Sequence, residues 1–265
     1  MVTDLSTKGI NNINEIIQES FTQNASFGFT RGKIVWYLPN DNKARLIGDE
    51  RVINEVTIFP ELPFISCCNE DIFYCSDGCT VSVVSPSQTP YPICSTKSRI
   101  SAMVADEVFH IIVVGTKDGY LHIFRSNDGS LVKSIDLSID DENDINYEER
   151  FKEVRKIVIT AKWGLIVVNI LSKVKVFNVN GLHLMDIDMP DQILKWFTYS
   201  NNKSFDFIVF ENVEHKIGFF DPLKKDSVQY FYETMEPLPL ISFIPSINSF
   251  AFLSESKQIT LVPHP

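Results

Sequence analysis

The sequence predicts an all-β fold of the β-propeller class, on three observations. Hairpin patterns recur along the chain, they repeat at about 40–45 residues, and the apolar runs are short or alternating, with no 3.6-residue period. The clearest hairpin is His110–Phe124, HIIVVGTKDGYLHIF. An apolar run, Ile111–Val114, meets the turn Thr116–Lys117–Asp118–Gly119, and Tyr120–Phe124 then alternates apolar and polar residues. Asp-Gly between two such runs is a strong hairpin signal, because Gly takes the φ > 0 position that the turn demands.

Residues 1–12 are polar and aperiodic, and read as a flexible lead-in. Ile13–Phe21 fits either a short helix or a first strand. Ser26–Thr30, the turn Arg31-Gly32 and Lys33–Leu38 form the first hairpin. Ile72–Cys75 and Val81–Val84 flank Ser76-Asp77-Gly78 in the second, and His110–Phe124 is the third. Gly164–Ile170 with Val174–Val179 makes the fourth, Phe205–Glu211 with Ile217–Phe220 the fifth, and Ser249–Ser254 with Gln258–Val262 the sixth.

Aligned on their second strands, Tyr37, Val84, Phe124, Phe177, Phe220 and Val262 fall in register at intervals of 47, 40, 53, 43 and 42 residues. Several short strands repeating at that period are the signature of propeller blades of the WD40 type. Further strands are expected ahead of the hairpins at Ile53–Phe59, Ile100–Val104, Val154–Ala161, Ile193–Tyr199 and Leu240–Ile244. Others are expected behind them at Ala44–Ile47, Leu131–Ile135, His183–Ile187 and Ser227–Tyr232. One propeller domain over 13–265 results, with six recognisable blades at about 13–47, 53–93, 99–137, 154–189, 193–232 and 239–265. A seventh blade is left open. The last blade is incomplete, so its outer strand would come from residues near the N-terminus or from sequence beyond this chain. No Trp-Asp dipeptide ends a third strand and no Gly-His opens a unit, so apolar packing between blades must replace the usual polar network.

One interval breaks the period. It contains the acidic insertion 138–153, between the third and fourth units. Insertions in repeat proteins fall in loops on one face, often the binding face. Asp140, Asp141, Glu142, Asp144, Glu148 and Glu149 would suit a basic partner, with Tyr147 and Phe151 as aromatic anchors. The alternative is a solvated loop, the usual fate of a charge run.

Val154–Met189, VRKIVITAKWGLIVVNILSKVKVFNVNGLHLMDIDM, carries a more specific pattern. Val174, Val176, Phe177, Val179, Asn180 and Gly181 match a strand end of the form Ile/Val-x-Val-x-x-Val-Asn-Gly. The neighbouring unit, Arg99–Leu137, has Asp118-Gly119 before its third strand and Asp128-Gly129 after it. In these residues the chain resembles the WD40-like C-terminal propeller of BEACH-domain proteins, the neurobeachin and beige class. The resemblance covers about 80 residues well and the remainder by period. It implies a scaffold acting in vesicle or membrane trafficking, and no catalytic residues. The BEACH domain and the PH-like domain before it are not in this sequence, which leaves open a fragment or a detached propeller.

Composition narrows the function classes. With 24 Lys and Arg against 34 Asp and Glu, the net charge of −10 argues against a nucleic-acid surface, which needs clustered cations. No apolar run approaches the ~18 residues of a membrane span, and no N-terminal signal pattern occurs. The five cysteines, Cys67, Cys68, Cys75, Cys79 and Cys94, suit a reduced, cytoplasmic setting, with any membrane association indirect. Cys75 and Cys79 lack a second Cys or His pair at zinc spacing, so buried thiols are expected and no metal or cofactor. Two glycosylation sequons, Asn24 and Asn202, lack a secretory context. His110, His122, His183, His215 and His264 are scattered without HxH or HxxxH pairing. No nucleophile elbow or phosphate loop occurs. The expected function is therefore a non-catalytic protein-interaction scaffold, either BEACH-like or a stand-alone adaptor. A propeller hydrolase with an acid pair or metal at the axis is the rival from another class.

Overall fold

The structure is a computed structural model. It describes residues 26–30, 33–38, 43–48, 51–57, 64–67, 73–76, 78–85, 88–137, 153–170, 172–200, 206–235, 238, 240–244, 249–253 and 259–263. All regular elements among them are strands, gathered in six sheets of strands consecutive in sequence. The first sheet holds β1 (Ser26–Thr30), β2 (Lys33–Leu38), β3 (Lys43–Gly48) and β4 (Arg51–Thr57). The second holds β5 (Phe64–Cys67), β6 (Phe73–Ser76), β7 (Thr80–Ser85) and β8 (Gln88–Ser95). The third runs β9 (Ile100–Asp106), β10 (Ile111–Thr116), β11 (Tyr120–Arg125), β12 (Leu131–Asp136). The fourth runs β13 (Lys156–Ile159), β14 (Ile166–Ile170), β15 (Lys173–Phe177), β16 (His183–Asp188). The fifth runs β17 (Ile193–Ser200), β18 (Asp206–Asn212), β19 (Lys216–Phe220), β20 (Gln229–Glu233). The sixth has three strands, β21 (Leu240–Ile244), β22 (Ser249–Leu253) and β23 (Ile259–Pro263).

The hairpins fall where the turn chemistry puts them, and Gly119 takes the left-handed φ of 88° that its Asp-Gly turn predicts. Two features differ from expectation. Ile53–Phe59, read as the leading strand of the second unit, overlaps β4 (Arg51–Thr57), which instead pairs with β3 and completes the first sheet. The strand pair with Arg31-Gly32 between its members is therefore first and second in its sheet, not second and third, and Tyr37 does not share a register position with Phe124 or Phe177. Phe64–Cys67 opens the second sheet in the place expected for Ile53–Phe59. A glycine turn between two apolar runs looks the same wherever it sits in a sheet; pairing with the next strand decides its position. The second feature is β8, which is not among the strands expected behind the hairpins and which contains Pro90 and Pro92. It lies at the outer edge of its sheet, where a residue without an N–H is tolerated. Ile13–Phe21 lies outside the described residues.

The chain divides into two compact units, Met1–Thr116 with Phe124–Val132, and Lys117–Ile123 with Lys133–Pro265. In the first, Tyr74, Val81, Val83, Ile100, Ile112, Val114 and Phe124 form one apolar cluster, with Cys94 packed among them. In the second, Val167, Val174, Val176, Ile187, Ile208, Phe210 and Phe220 form another. Val209, Ile217, Leu238, Phe250 and Phe252 make a third, extended by partly buried Phe219, Phe231 and Tyr232. Exposure grades across the third and fourth sheets. Second strands β10 and β14 are buried at every position, and third strands β11 and β15 are buried at alternate ones. Outer strands β12, β16 and β20 are largely exposed.

Gly129, in the turn between β11 and β12, combines φ 68° with close backbone approach: a Cβ there would collide with the carbonyl oxygen of Ile93. Gly129→Ala is expected to destabilise the protein by about 2 kcal/mol or more, since both strain and a backbone clash must be relieved. Gly78→Ala, where the added Cβ meets nothing within 4 Å, should cost less despite its φ of 116°. Thermal melts of the two variants beside the parent chain check the order.

Candidate functional site

All eight residues that the sequence singles out for partner binding, Asp140, Asp141, Glu142, Asp144, Tyr147, Glu148, Glu149 and Phe151, lie outside the described residues. The ends of their segment are described, and both are pinned. Leu137 N donates to Gly119 O (2.9 Å) in the β10–β11 turn, and Arg155 N donates to Asn169 O (3.0 Å) at the end of β14. Leu137 and Val154 are buried. The acidic segment thus leaves and re-enters at sheet ends that carry the turns between second and third strands.

That sheet end is built the same way repeatedly. In four sheets the chain just past the outer strand donates an N–H to the carbonyl of this turn: Thr96 to Cys79 (2.8 Å), Leu137 to Gly119 (2.9 Å), Met189 to Ser172 (2.8 Å) and Thr234 to His215 (3.1 Å). Each bond carries the ladder of third and outer strands into the turn. The turn and the connection to the next sheet are held as one piece.

The fifth sheet elaborates this end into a polar lattice that its sequence did not advertise. Asn212, fully buried at the end of β18, accepts the N–H groups of Glu214 (3.1 Å) and Lys216 (2.8 Å) on Oδ1. Its Nδ2 donates to Asp191 Oδ2 (3.0 Å), which also accepts from the Tyr230 hydroxyl (3.2 Å). Val213 N donates to Gln192 O (3.1 Å) in the connection from the fourth sheet. Glu211, with no exposed surface, has Oε1 at 2.9 Å from His215 Nδ1 and accepts the Leu238 N–H at 3.2 Å. His215 sits at φ 60°, a conformation uncommon outside glycine and held here by these bonds. Burial, then the charge and hydrogen bond of Asp191, push the Tyr230 phenol above its ordinary range. The hydrogen bond to Glu214 (2.6 Å) and its charge, followed by the charges of Glu233 and Asp191, raise the Lys216 ammonium. Three exposed or half-buried carboxylates therefore converge on one lysine. Val213, next to Glu214 in sequence, is 44% exposed, and Met235, two residues past Glu233, is 100% exposed.

The other histidines occupy separate environments. His122, half-buried on β11, stacks on Tyr120 with ring centroids 6.0 Å apart, and burial lowers its pKa against the opposing charge of Asp118. His183 Nε2 lies 2.7 Å from Asp186 Oδ1, and Lys175 Nζ lies 3.4 Å from Asp186 Oδ2. Burial acts to raise the Asp186 carboxyl, but these two partners outweigh it and hold the group low. His110 sits in the β9–β10 turn at φ 53°, where its carbonyl accepts Ser126 N at 3.0 Å. His264 lies outside the described residues. No cluster of three His, Cys, Asp or Glu able to hold a metal occurs among the described residues. Cys94 is buried as expected, its thiol pushed up to about 12 by desolvation; Cys79, expected to be buried, is exposed in the β6–β7 turn. No helix among the described residues is long and apolar enough to cross a membrane.

The chain is similar over 90% of its length to the Myceliophteria thermophila Cps50 (Swd1) β-propeller domain, at 12% identity and TM-score 0.68, covering 83% of that chain. The fold is a WD40-type β-propeller. A chain of the mitotic checkpoint complex matches at TM-score 0.67 and 7% identity, covering 90% of this propeller and 74% of that chain. BBS1N, solved in complex with ARL6DN, matches at TM-score 0.65 and 12% identity, with 88% and 74% covered. No protein-family model and no curated protein matches the sequence.

Asn212→Ala removes the acceptor of two backbone N–H groups and the donor to Asp191, at a site without solvent to replace them. A loss of about 2–3 kcal/mol is expected, with hydrogen exchange accelerated first at Glu214 and Lys216. For the thiols, the raised Cys94 leaves almost no thiolate at neutral pH. A brief pulse of iodoacetamide on the native protein should label Cys79 well ahead of Cys94, as read by peptide mass mapping.

Proposed function

We propose that this propeller is a non-catalytic protein-binding platform, and more specifically one resembling the C-terminal propeller of BEACH-type trafficking proteins. The observation that carries the platform reading is the distribution of exposed apolar side chains. The sheet interiors are closely filled, yet Leu131, Val132, Trp163, Leu182, Leu184, Val213, Met235 and Leu261 are each more than 40% exposed on turns or strands near the sheet margins. Rigid loops and edges bearing isolated apolar groups suit recognition of other proteins. Similarity to propellers solved within protein assemblies supports the same reading.

The BEACH-type reading rests on Val174, Val176, Phe177, Val179, Asn180 and Gly181. Three of them lie on β15, and the Asn180-Gly181 turn follows, with Gly181 at φ 74° and Asn178 Oδ1 accepting the N–H groups of Asn180 and Leu182. The acidic segment, with Asp140, Asp141, Glu142, Asp144, Glu148 and Glu149 around Tyr147 and Phe151, is proposed as a contact for a basic partner.

In lysate of its own cells the chain is expected to run in an assembly larger than its 30.2 kDa, and in part to sediment with membranes. Recovery as a free chain in the supernatant alone would count against the reading. Deletion of 138–149 should leave the melting temperature within about 2 °C while removing some of the co-purifying proteins; an unchanged set would leave a solvated loop.

A further inference from the structure

We infer that the turn end of the fifth sheet is a docking site for a basic segment of a partner protein, one that places an apolar residue between Lys or Arg side chains. This rests on the protein-binding reading above and names the partner's chemistry. The apolar half of the site is Val213 and Met235. Thr234, next to Met235, donates both its N–H (3.1 Å) and its hydroxyl (3.4 Å) to the carbonyl of His215, two residues beyond Val213. The two exposed side chains thus stand on loops joined to each other. Methionine is enriched in interfaces because its flexible thioether adapts to varied partners. A fully exposed one on a backbone so restrained presents apolar surface with little further ordering cost to the framework.

Charge selects the occupant. Val213 is followed by Glu214, and Met235 stands two residues past Glu233. These two carboxylates and that of Asp191 act on Lys216, which pairs with Glu214 at 2.6 Å, so three acids face one lysine there. A negative surplus therefore remains beside the apolar pair. A second copy of this chain, meeting it through a two-fold contact, would bring the same carboxylates face to face. An anionic bilayer would be repelled likewise. A segment carrying Lys or Arg meets the surplus and can set its apolar residue against Met235.

The test pans a library of random peptides of about twelve residues on the full chain, then measures the enriched peptides by fluorescence polarisation at two salt concentrations. Lys or Arg flanking an apolar residue is the expected consensus. Affinity should fall at least tenfold with Met235→Asp and with Glu233→Lys, fall with rising salt, and stay unchanged with Trp163→Ser, on a turn at the opposite end of the fourth sheet. Both charge variants alter exposed side chains, so matching melts will show that they fold. Peptides without basic residues, binding untouched by Met235→Asp, or no enrichment at all would overturn the docking site. Self-association that Met235→Asp abolishes would overturn it too, in favour of a second copy. In each case the platform reading stands or falls separately, on whether the chain runs in a larger assembly in lysate.

Discussion

The third and fourth sheets depend on one packing constraint: their second strands are covered on both faces. In β10 every residue from Ile111 to Thr116 is buried, and in β14 every residue from Ile166 to Ile170. Only continuous apolar stretches can meet that demand, at roughly 25 cal/mol for each Å² of apolar surface removed from water. Moving outward across the sheet, β11 and β15 need only alternate, and β12 and β16 stay largely in water. The gradient from fully apolar to mixed to polar is thus a record of position in the sheet. Buried polar positions mark its limits: Thr116 and Asn169 stand at or beside the strand ends that lead into turns, and Ser101 Oγ answers the Gly115 carbonyl across the β9–β10 pair.

At the ends of the sheets, backbone hydrogen bonds take over from apolar burial. The bond from the chain past the outer strand to the turn carbonyl recurs in four sheets, and in the fifth it acquires side-chain reinforcement from Asn212, Asp191, Tyr230, Glu211 and His215. This reinforcement makes one sheet end rigid and leaves Val213 and Met235 outside it. Stiffness in the frame and apolar exposure at its rim are the combination that a recognition surface needs.

Much of the architecture was legible because hairpin chemistry is local. Asp118-Gly119 and Asp77-Gly78 fix a turn within a few residues, and the apolar run before it fixes a strand. Position within a sheet was less legible. Arg51–Thr57 has the composition of an opening strand, and only its pairing with β3 shows that it closes the first sheet. The polar lattice of the fifth sheet was illegible for a related reason. Asp191, Asn212 and Tyr230 are far apart in sequence, and none belongs to a motif; a buried Asn at a strand end followed by His and Lys in the turn was the one signal that could have raised it. Cys79 shows the converse, a residue type usually buried that the turn places in solvent.

By itself, then, the sequence determined the strand content, the hairpins and the period, because turn propensity and alternation act over a few residues. Its charge run from Asp140 to Glu149 set one stretch apart from the repeat. Tertiary structure alone decided which strands share a sheet, which apolar residues remain exposed, and which polar residues meet. Those outcomes depend on contacts between residues tens of positions apart, and no local pattern encodes them.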